Sequence, residues 1–380
     1  MGRARTGIQT MTKNALDMKR LIIIPALGVL LAAFSSCAVP YQPEEPKVFF
    51  QEEDSLVTVI FSASGGERSK VTGVSEEAER MVDRWAVFAF DNRSGQFRYE
   101  SASSGGPLPM KLSAGRSYTC YAIVNYPETG PGAFDPASVR STSDLTGKVA
   151  YLGDCRGTAL PMFGSEEVTP VADSDTEVTI TVKRLVSRVD LRGLKVDFSG
   201  KPHLESKTFT LRAIYLTNTY RTTRYGEDYT FPELSSTRSA WYNTGGWHRG
   251  EAAEAGIDVI VGDRSIDTVI SAGSPYSREH SFYAFPNPTP VSEDITQTES
   301  WTRRCTRLVI EATIDDDTVY YAIKVPSMTR NRIFAASSVV IHGRGSNDPE
   351  IIDIDPDIIE VTVQPVIDDD WDGAGDIYLD

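Results

Sequence analysis

The sequence predicts an all-β chain: two β-sandwich-like (transthyretin-like) domains with few short helices. Three observations lead there. Apolar runs of strand length recur along the chain, separated by Gly, Pro, Asn and Asp turn signals, with few windows at helical period. The 380 residues exceed one ordinary domain, so two cores are expected. Hydrophobic residues at 40% against charged residues at 24% give a globular balance, not that of a disordered chain. No repeat of fixed period is visible.

The elements follow in chain order. From Met18, "MKRLIIIPALGVLLAAFSSC" has a basic start (Lys19, Arg20) and an apolar run from Leu21 to Phe34. That run is short for a membrane span and right for a signal peptide. Ser35 and Ser36 before Cys37 resemble a lipoprotein lipobox, whose thiol becomes lipidated; Phe34, where Leu is usual, departs from it. Met1 to Asp17 is unpatterned and reads as an extended leader or a mis-assigned start. Residues 1–37 are therefore taken as leader and signal peptide. The Pro-rich "AVPYQPEEPK" is a tether, and "VFFQEEDSLVTVIF" is strand material. Leu56 to Phe61 is apolar on both faces apart from Thr58, as a buried strand would be.

"GGERSK" then places Arg68 and Lys70 on a Gly/Ser platform, a loop open to a trypsin-like enzyme. Beyond it, Ser75 can cap a helix whose apolar stripe is Ala78, Met81, Val82 and Trp85. "WAVFAF" is a strand, "DNRSGQ" a turn, and "SYTCYAIVNYP" a strand stopped by Pro127. Residues 128–159 are loop-rich, with a short helix near "PASVRSTSDL". Two strand runs surround residues 185–189, where the domain boundary is placed: 38–68 tether and first strand, 69–185 N-terminal sandwich, 186–380 C-terminal sandwich. "FTLRAIYLTN", "SFYAFPN", "TRLVIEATID", "TVYYAIKVP", "SSVVIHG" and "IIEVTVQPV" supply later strands; "IDDDT" is a hairpin turn and "GRGSNDPE" a loop.

The chemistry is sparse. A net charge of -15 argues against a nucleic-acid partner. Four cysteines and four scattered histidines offer no clustered zinc ligands, so no metal and no cofactor is expected. Cys120 and Cys155 could pair in an oxidising compartment; buried free thiols are the alternative. "DDDWDGAGD" imitates half of an EF-hand loop, but its twelfth position is Leu379, so it reads as a solvated acidic tail. The acids of "IDIDPDIIE" suit a protected strand edge, and His342 a structural role. No nucleophile elbow, zinc-protease motif or phosphate loop occurs, so no enzyme is predicted. "WYNTGGWHRG", with Trp247, could stack on a sugar; a monomeric surface lipoprotein binding glycan or a host ligand is the alternative reading.

Taken in order, the lipobox at Cys37, "TGVSEEAERMVDRWAVFAFDNRSGQ", "AGRSYTCYAIVNYP", "LPMFGSEE...VTITVKRLVSRVDL", "SFYAFPN" and "YYAIKVP...RNRIFAASSVVIHGRGSNDPE" resemble the fimbrillins, the lipoprotein pilin subunits of Bacteroidia (FimA/Mfa-like type V pilins). The resemblance covers nearly the whole chain after Met18. It implies a subunit carried as a lipoprotein to the outer membrane and the cell-surface fimbrium, where it supports adhesion. A protease cutting after Arg or Lys would remove the first strand, 47–61, at the Arg68–Ser69 bond, with Lys70 as a nearby second target. Another fimbrial subunit would then fill the groove by β-augmentation. The donor implied here is near the C-terminus, with Ile358, Ile359, Val361 and Val363 as its apolar residues. The acidic tail departs from a simple donor extension.

Overall fold

The computed structural model describes residues 55–64, 79, 81–155, 159–226, 247–248, 258–287, 305–325, 328–349, 351, 355–363 and 374–375. All belong to one compact unit, Glu52–Asp380. The leader, Cys37, the tether, residues 47–54, the Arg68–Ser69 bond and Lys70 lie outside the described residues.

The N-terminal half pairs two sheets. In the first, β1 (Leu56–Ser64) lies between β4 (Leu108–Ser113), antiparallel to it, and β8 (Thr176–Thr181), parallel to it. The second has the order β3 (Phe97–Ala102), β2 (Trp85–Asp91), β5 (Tyr118–Val124), β7 (Met162–Val168) and β9 (Lys183–Arg184), antiparallel throughout. Alternation along each strand builds the core between them. Val59 and Phe61 of β1, Leu108, Met110 and Leu112 of β4, and Val178 and Ile180 of β8 meet Trp85, Val87, Ala89, Cys120 and Ala122. Strand β2 is apolar from Trp85 to Phe90 because both of its faces are covered. Ala86, Phe88 and Phe90 belong to a second core. Gly164 lets the chain of β8 come close to β7, since a Cβ there would stand 2.1 Å from the Thr181 carbonyl oxygen.

The expected helix stripe needs correction. Residue 79 is helical, but 81–84 are irregular and Trp85 opens β2. Met81 is 45% exposed, and Leu56 on β1 is exposed as well, so neither sits on a buried face. Three backbone groups of 81–84, the Met81 and Arg84 carbonyls and the Asp83 amide, bond to Asn125. Its Nδ2 donates to the Met81 carbonyl at 2.7 Å, and its Oδ1 accepts from the Asp83 amide at 2.9 Å.

The "DNRSGQ" turn forms as its residues require. Asp91 Oδ1 accepts from the Arg93 and Ser94 amides, and Gly95 takes φ +70°. Farther on, Asp135 caps a 3-10 turn (Pro136–Ser138) and Ser141 caps α1 (Thr142–Thr146). β6 (Val149–Tyr151) pairs with β14 (Thr222–Arg224), joining the two halves of the chain.

In the C-terminal half, β22 (Ile333–Ile341) is central. β10 (Ser187–Leu191) and β11 (Leu194–Val196) run parallel to it, flanked by β19 (His280–Ala284) and β18 (Pro275–Tyr276). β23 (Ile359–Val363) pairs antiparallel with β22, and β24 (Ala374–Gly375) parallel. The facing sheet has the order β16 (Gly262–Asp263), β12 (Phe209–Thr217), β20 (Thr306–Ile314) and β21 (Asp317–Val325), with β17 (Thr268–Ile270) also on β12. A small ribbon pairs β13 (Thr219–Tyr220) with β15 (Trp247–His248). Two one-turn helices, α2 (Pro202–Glu205) and α3 (Asp258–Val261), complete the half. The hairpin between β20 and β21 turns at Asp315, with φ 53°.

Candidate assembly site

Strand β1 is held on both sides. Six of its residues pair with β4, from Leu56 opposite Ser113 to Phe61 opposite Leu108. Its later residues pair with β8, from Val59 opposite Thr176 to Ser64 opposite Thr181. Among the described residues it is the only strand that hydrogen-bonds β4 to β8. Its core face carries Val57, Val59 and Phe61, the last two with no exposed surface. Burying each such side chain stabilises by about 1.5–3 kcal/mol. The opposite face is half-buried: Thr58 Oγ1 accepts from Lys111 Nζ at 2.6 Å, and Ser62 Oγ lies 3.2 Å from Thr179 Oγ1. The expected strand is thus apolar toward one core rather than buried on both faces. Without β1, β4 and β8 would face each other across a strand-wide gap lined by apolar side chains and open ladder groups.

The C-terminal candidate strand sits elsewhere. Ile359 and Val361 of β23 lie opposite Ile341 and Val339 of β22, and Val363 lies opposite Ala336. Ile359 is fully buried, while Ile358, Val361 and Val363 pack partly against the same core. The Ile358 carbonyl accepts from the His342 and Gly343 amides at 2.8 and 3.0 Å. This strand is therefore folded onto its own half of the chain.

Downstream of the basic pair in sequence stands a residue that sequence reasoning did not single out. Glu79 is buried, and Arg188 NH1 donates to both of its carboxylate oxygens, at 3.0 and 2.8 Å. The Tyr283 hydroxyl donates to the same carboxylate, and Arg184 Nε to the Glu79 carbonyl at 3.3 Å. Asp190 extends the network to Arg188 at 3.1 Å and Arg192 at 3.0 Å. Burial works against the charge of Arg188, but Asp190 and Glu79 outweigh it and push its pKa above the usual arginine range. Burial, reinforced by the Glu79 charge, pushes the Tyr283 hydroxyl well up as well. Alternation explains the placement: Val189 and Leu191 of β10 enter the apolar core, and Arg188 and Asp190 take the other face.

Cys120 and Cys155 lie in different cores, Cys120 between the two N-terminal sheets and Cys155 in the second core. Cys155 Sγ lies 3.8 Å from the Tyr151 carbonyl. Of the aromatic loop, Trp247 and His248 contribute backbone pairing to β13; the rest of 243–250 lies outside the described residues. His342 Nδ1 lies 3.2 Å from the Asp197 carbonyl, a structural contact. Asp355 accepts through its carbonyl from the Ile358 and Ile359 amides and so starts β23.

No protein-family model matches the chain, and no curated protein matches it. Solved structures do. A candidate cell adhesion protein from Bacteroides eggerthii has a TM-score of 0.57 at 17% identity, covering 85% of this chain and 98% of its own. One from Parabacteroides distasonis has a TM-score of 0.53 at 14% identity, covering 81% and 96%. A fimbrilin (FimA) from Porphyromonas gingivalis has a TM-score of 0.52 at 12% identity, covering 85% and 98%. The chain thus has the all-β sandwich fold of a Bacteroidia fimbrilin and of these adhesion-type proteins over almost their whole lengths.

Proposed function

We propose that this chain is a fimbrillin-type structural subunit of a cell-surface fimbria, working in adhesion and not as an enzyme. The observation that carries the reading is β1: a strand inserted between β4 and β8, bonded to both and filling one core with Val59 and Phe61. The fold shared with a fimbrilin supports it. In this reading Cys37 carries the lipid that brings the precursor to the outer membrane. Cleavage after Arg68 releases the strand, and another fimbrial subunit restores the sheet with a strand of its own. A vacated groove exposes backbone donors and acceptors together with apolar core, so a donor strand recovers hydrogen bonds and burial at once. Ile358 to Val363 are the proposed donor. To serve, β23 must first leave β22 and expose Ile359, which makes donation an exchange between two sheet positions rather than capture of a loose tail.

The test is processing and assembly of Arg68→Ala in cells, with N-terminal sequencing of the surface protein and electron microscopy. The expected result is a retained first strand and no fibres. Normal fibres from that variant, with Lys70 also replaced, would sink the processing step.

A further inference from the structure

Between residues 68 and 84 an Arg/Lys-directed protease finds four basic residues: Arg68, Lys70, Arg80 and Arg84. In sequence they are equal targets. Of the four, Arg84 is among the described residues, and Arg80 stands in sequence between the described Glu79 and Met81. A protease needs an extended, detachable stretch of backbone, so a bond between anchored residues is cut only when that region opens locally.

The anchoring from 79 onward is dense. Glu79 is held by Arg188 and Tyr283 through its carboxylate and by Arg184 through its carbonyl. Two residues on, the Met81 carbonyl accepts from Asn125 Nδ2, and the Asp83 amide donates to Asn125 Oδ1. The Arg84 carbonyl accepts from the Asn125 amide at 2.8 Å. The Arg84 side chain pairs with Glu128 at 2.8 Å and lies over the Tyr126 ring, 5.9 Å from its centre. Trp85 then enters β2 with its ring buried. Asn125 can do this because it takes φ 56° at the end of β5, which turns both its backbone and its side chain toward the incoming chain.

We infer that Glu79 and Asn125 set the downstream limit of proteolytic processing. With Glu79, Met81, Asp83 and Arg84 anchored, an Arg/Lys-directed protease meets closed backbone from residue 79 onward while the fold is intact, so the excisable part of the chain ends upstream of residue 79. This rests on the processing reading above and adds its boundary. The boundary matters because a cut after Arg80 or Arg84 would carry Glu79 away and leave Arg188 and Tyr283 buried without its carboxylate. Cleavage upstream keeps the anchor on the permanent body.

The experiment is a limited trypsin time course on the purified full-length chain, with new N-termini read by mass spectrometry. Fragments beginning at residues 69 or 71 should accumulate, and fragments beginning at 81 or 85 should be absent until late. Glu79→Ala should speed cleavage after Arg80 on the order of tenfold or more, because proteolysis follows the population of the open form. Asn125→Ala should do the same after Arg84. Fragments at 81 or 85 appearing in the wild type as fast as those at 69 or 71 would overturn the inference, and this comparison holds even if a variant fails to fold. A wild type uncut after Arg68 and Lys70 yet still resistant after Arg80 and Arg84 would uphold the anchor and sink the processing site, so the two failures are told apart.

Discussion

Cys120 lies in the core that β1 closes, and burial, with the Glu166 charge adding to it, pushes its thiol pKa up to about 12. At pH 8 only about one thiol in ten thousand is ionised, and the thiolate is the reactive form. The intact protein should therefore resist a maleimide at Cys120 and become reactive when β1 is removed. Peptide mapping of the labelled protein checks this, and rapid labelling of the intact chain would refute it. His280 makes a different prediction. Burial, helped by Arg278 and opposed by Asp263, holds its pKa below the ordinary value, with its Nε2 3.0 Å from the Tyr276 hydroxyl. The folded protein thus keeps this ring neutral while the unfolded chain protonates it near pH 6.5. Its share of stability is complete above about pH 6.5 and is lost as pH falls from there toward the folded value. Asp91 acts at lower pH. Burial alone would raise its pKa, but hydrogen bonds from the Ser94 and Arg93 amides and from the Arg116 side chain lower it. Its share is present above about pH 4 and lost as pH falls through the folded value. Melting temperature against pH should fall in two stages on acidification, and His280→Gln should flatten the first.

At the scale of elements, β1 has one energetic face. Phe61→Ala should destabilise the intact chain by about 3–5 kcal/mol, whereas Thr58→Ala on the half-exposed face should cost less than about 1 kcal/mol. Urea unfolding checks both, and equal costs would mean the strand does not pack as described. This strand was legible because Val57, Val59 and Phe61 alternate within an apolar run. So were β2, β5, β12, β20 and β21, whose runs are long and apolar. Other strands of the N-terminal half were harder to read. β4 carries Pro109, a residue that argues against a strand. β3 is polar along an edge, and β7 combines Gly164 with exposed Ser165, Glu166 and Glu167. The helix stripe through Trp85 was a coincidence of spacing, because a strand covered on both faces shows no period of its own. Glu79 was missed for a related reason. In "SEEAER" a glutamate reads as a solvated helix face, and its partners lie 109 and 204 residues away in sequence.

Across the whole molecule, the two cores respond differently to loss of β1. Among the described residues, the core containing Phe61 is built from the N-terminal half. The second core runs from Phe88 and Phe163 through Phe134 and Tyr225 to Leu211 and Ile341, so it crosses both halves. Polar ties reinforce that crossing. β6 pairs with β14, Arg330 donates to the carbonyls of Tyr225 and Gly226 at 2.9 and 3.0 Å, and Arg184 reaches Asn331 Oδ1 at 3.3 Å. None of these involves β1. A chain beginning at residue 69 should therefore keep the second core and the junction, while its N-terminal sandwich melts at a lower temperature. Calorimetry should show an early transition absent from the intact chain, beside a late one near the original. A synthetic peptide of residues 55–64 should bind and raise the early transition with increasing concentration, by the linkage of binding to stability. The same peptide with the residue at position 61 changed to alanine should do so only weakly. If the shortened chain melts like the intact one, or ignores the peptide, β1 is not the part that closes this fold, and the groove between β4 and β8 is not a site for another subunit's strand.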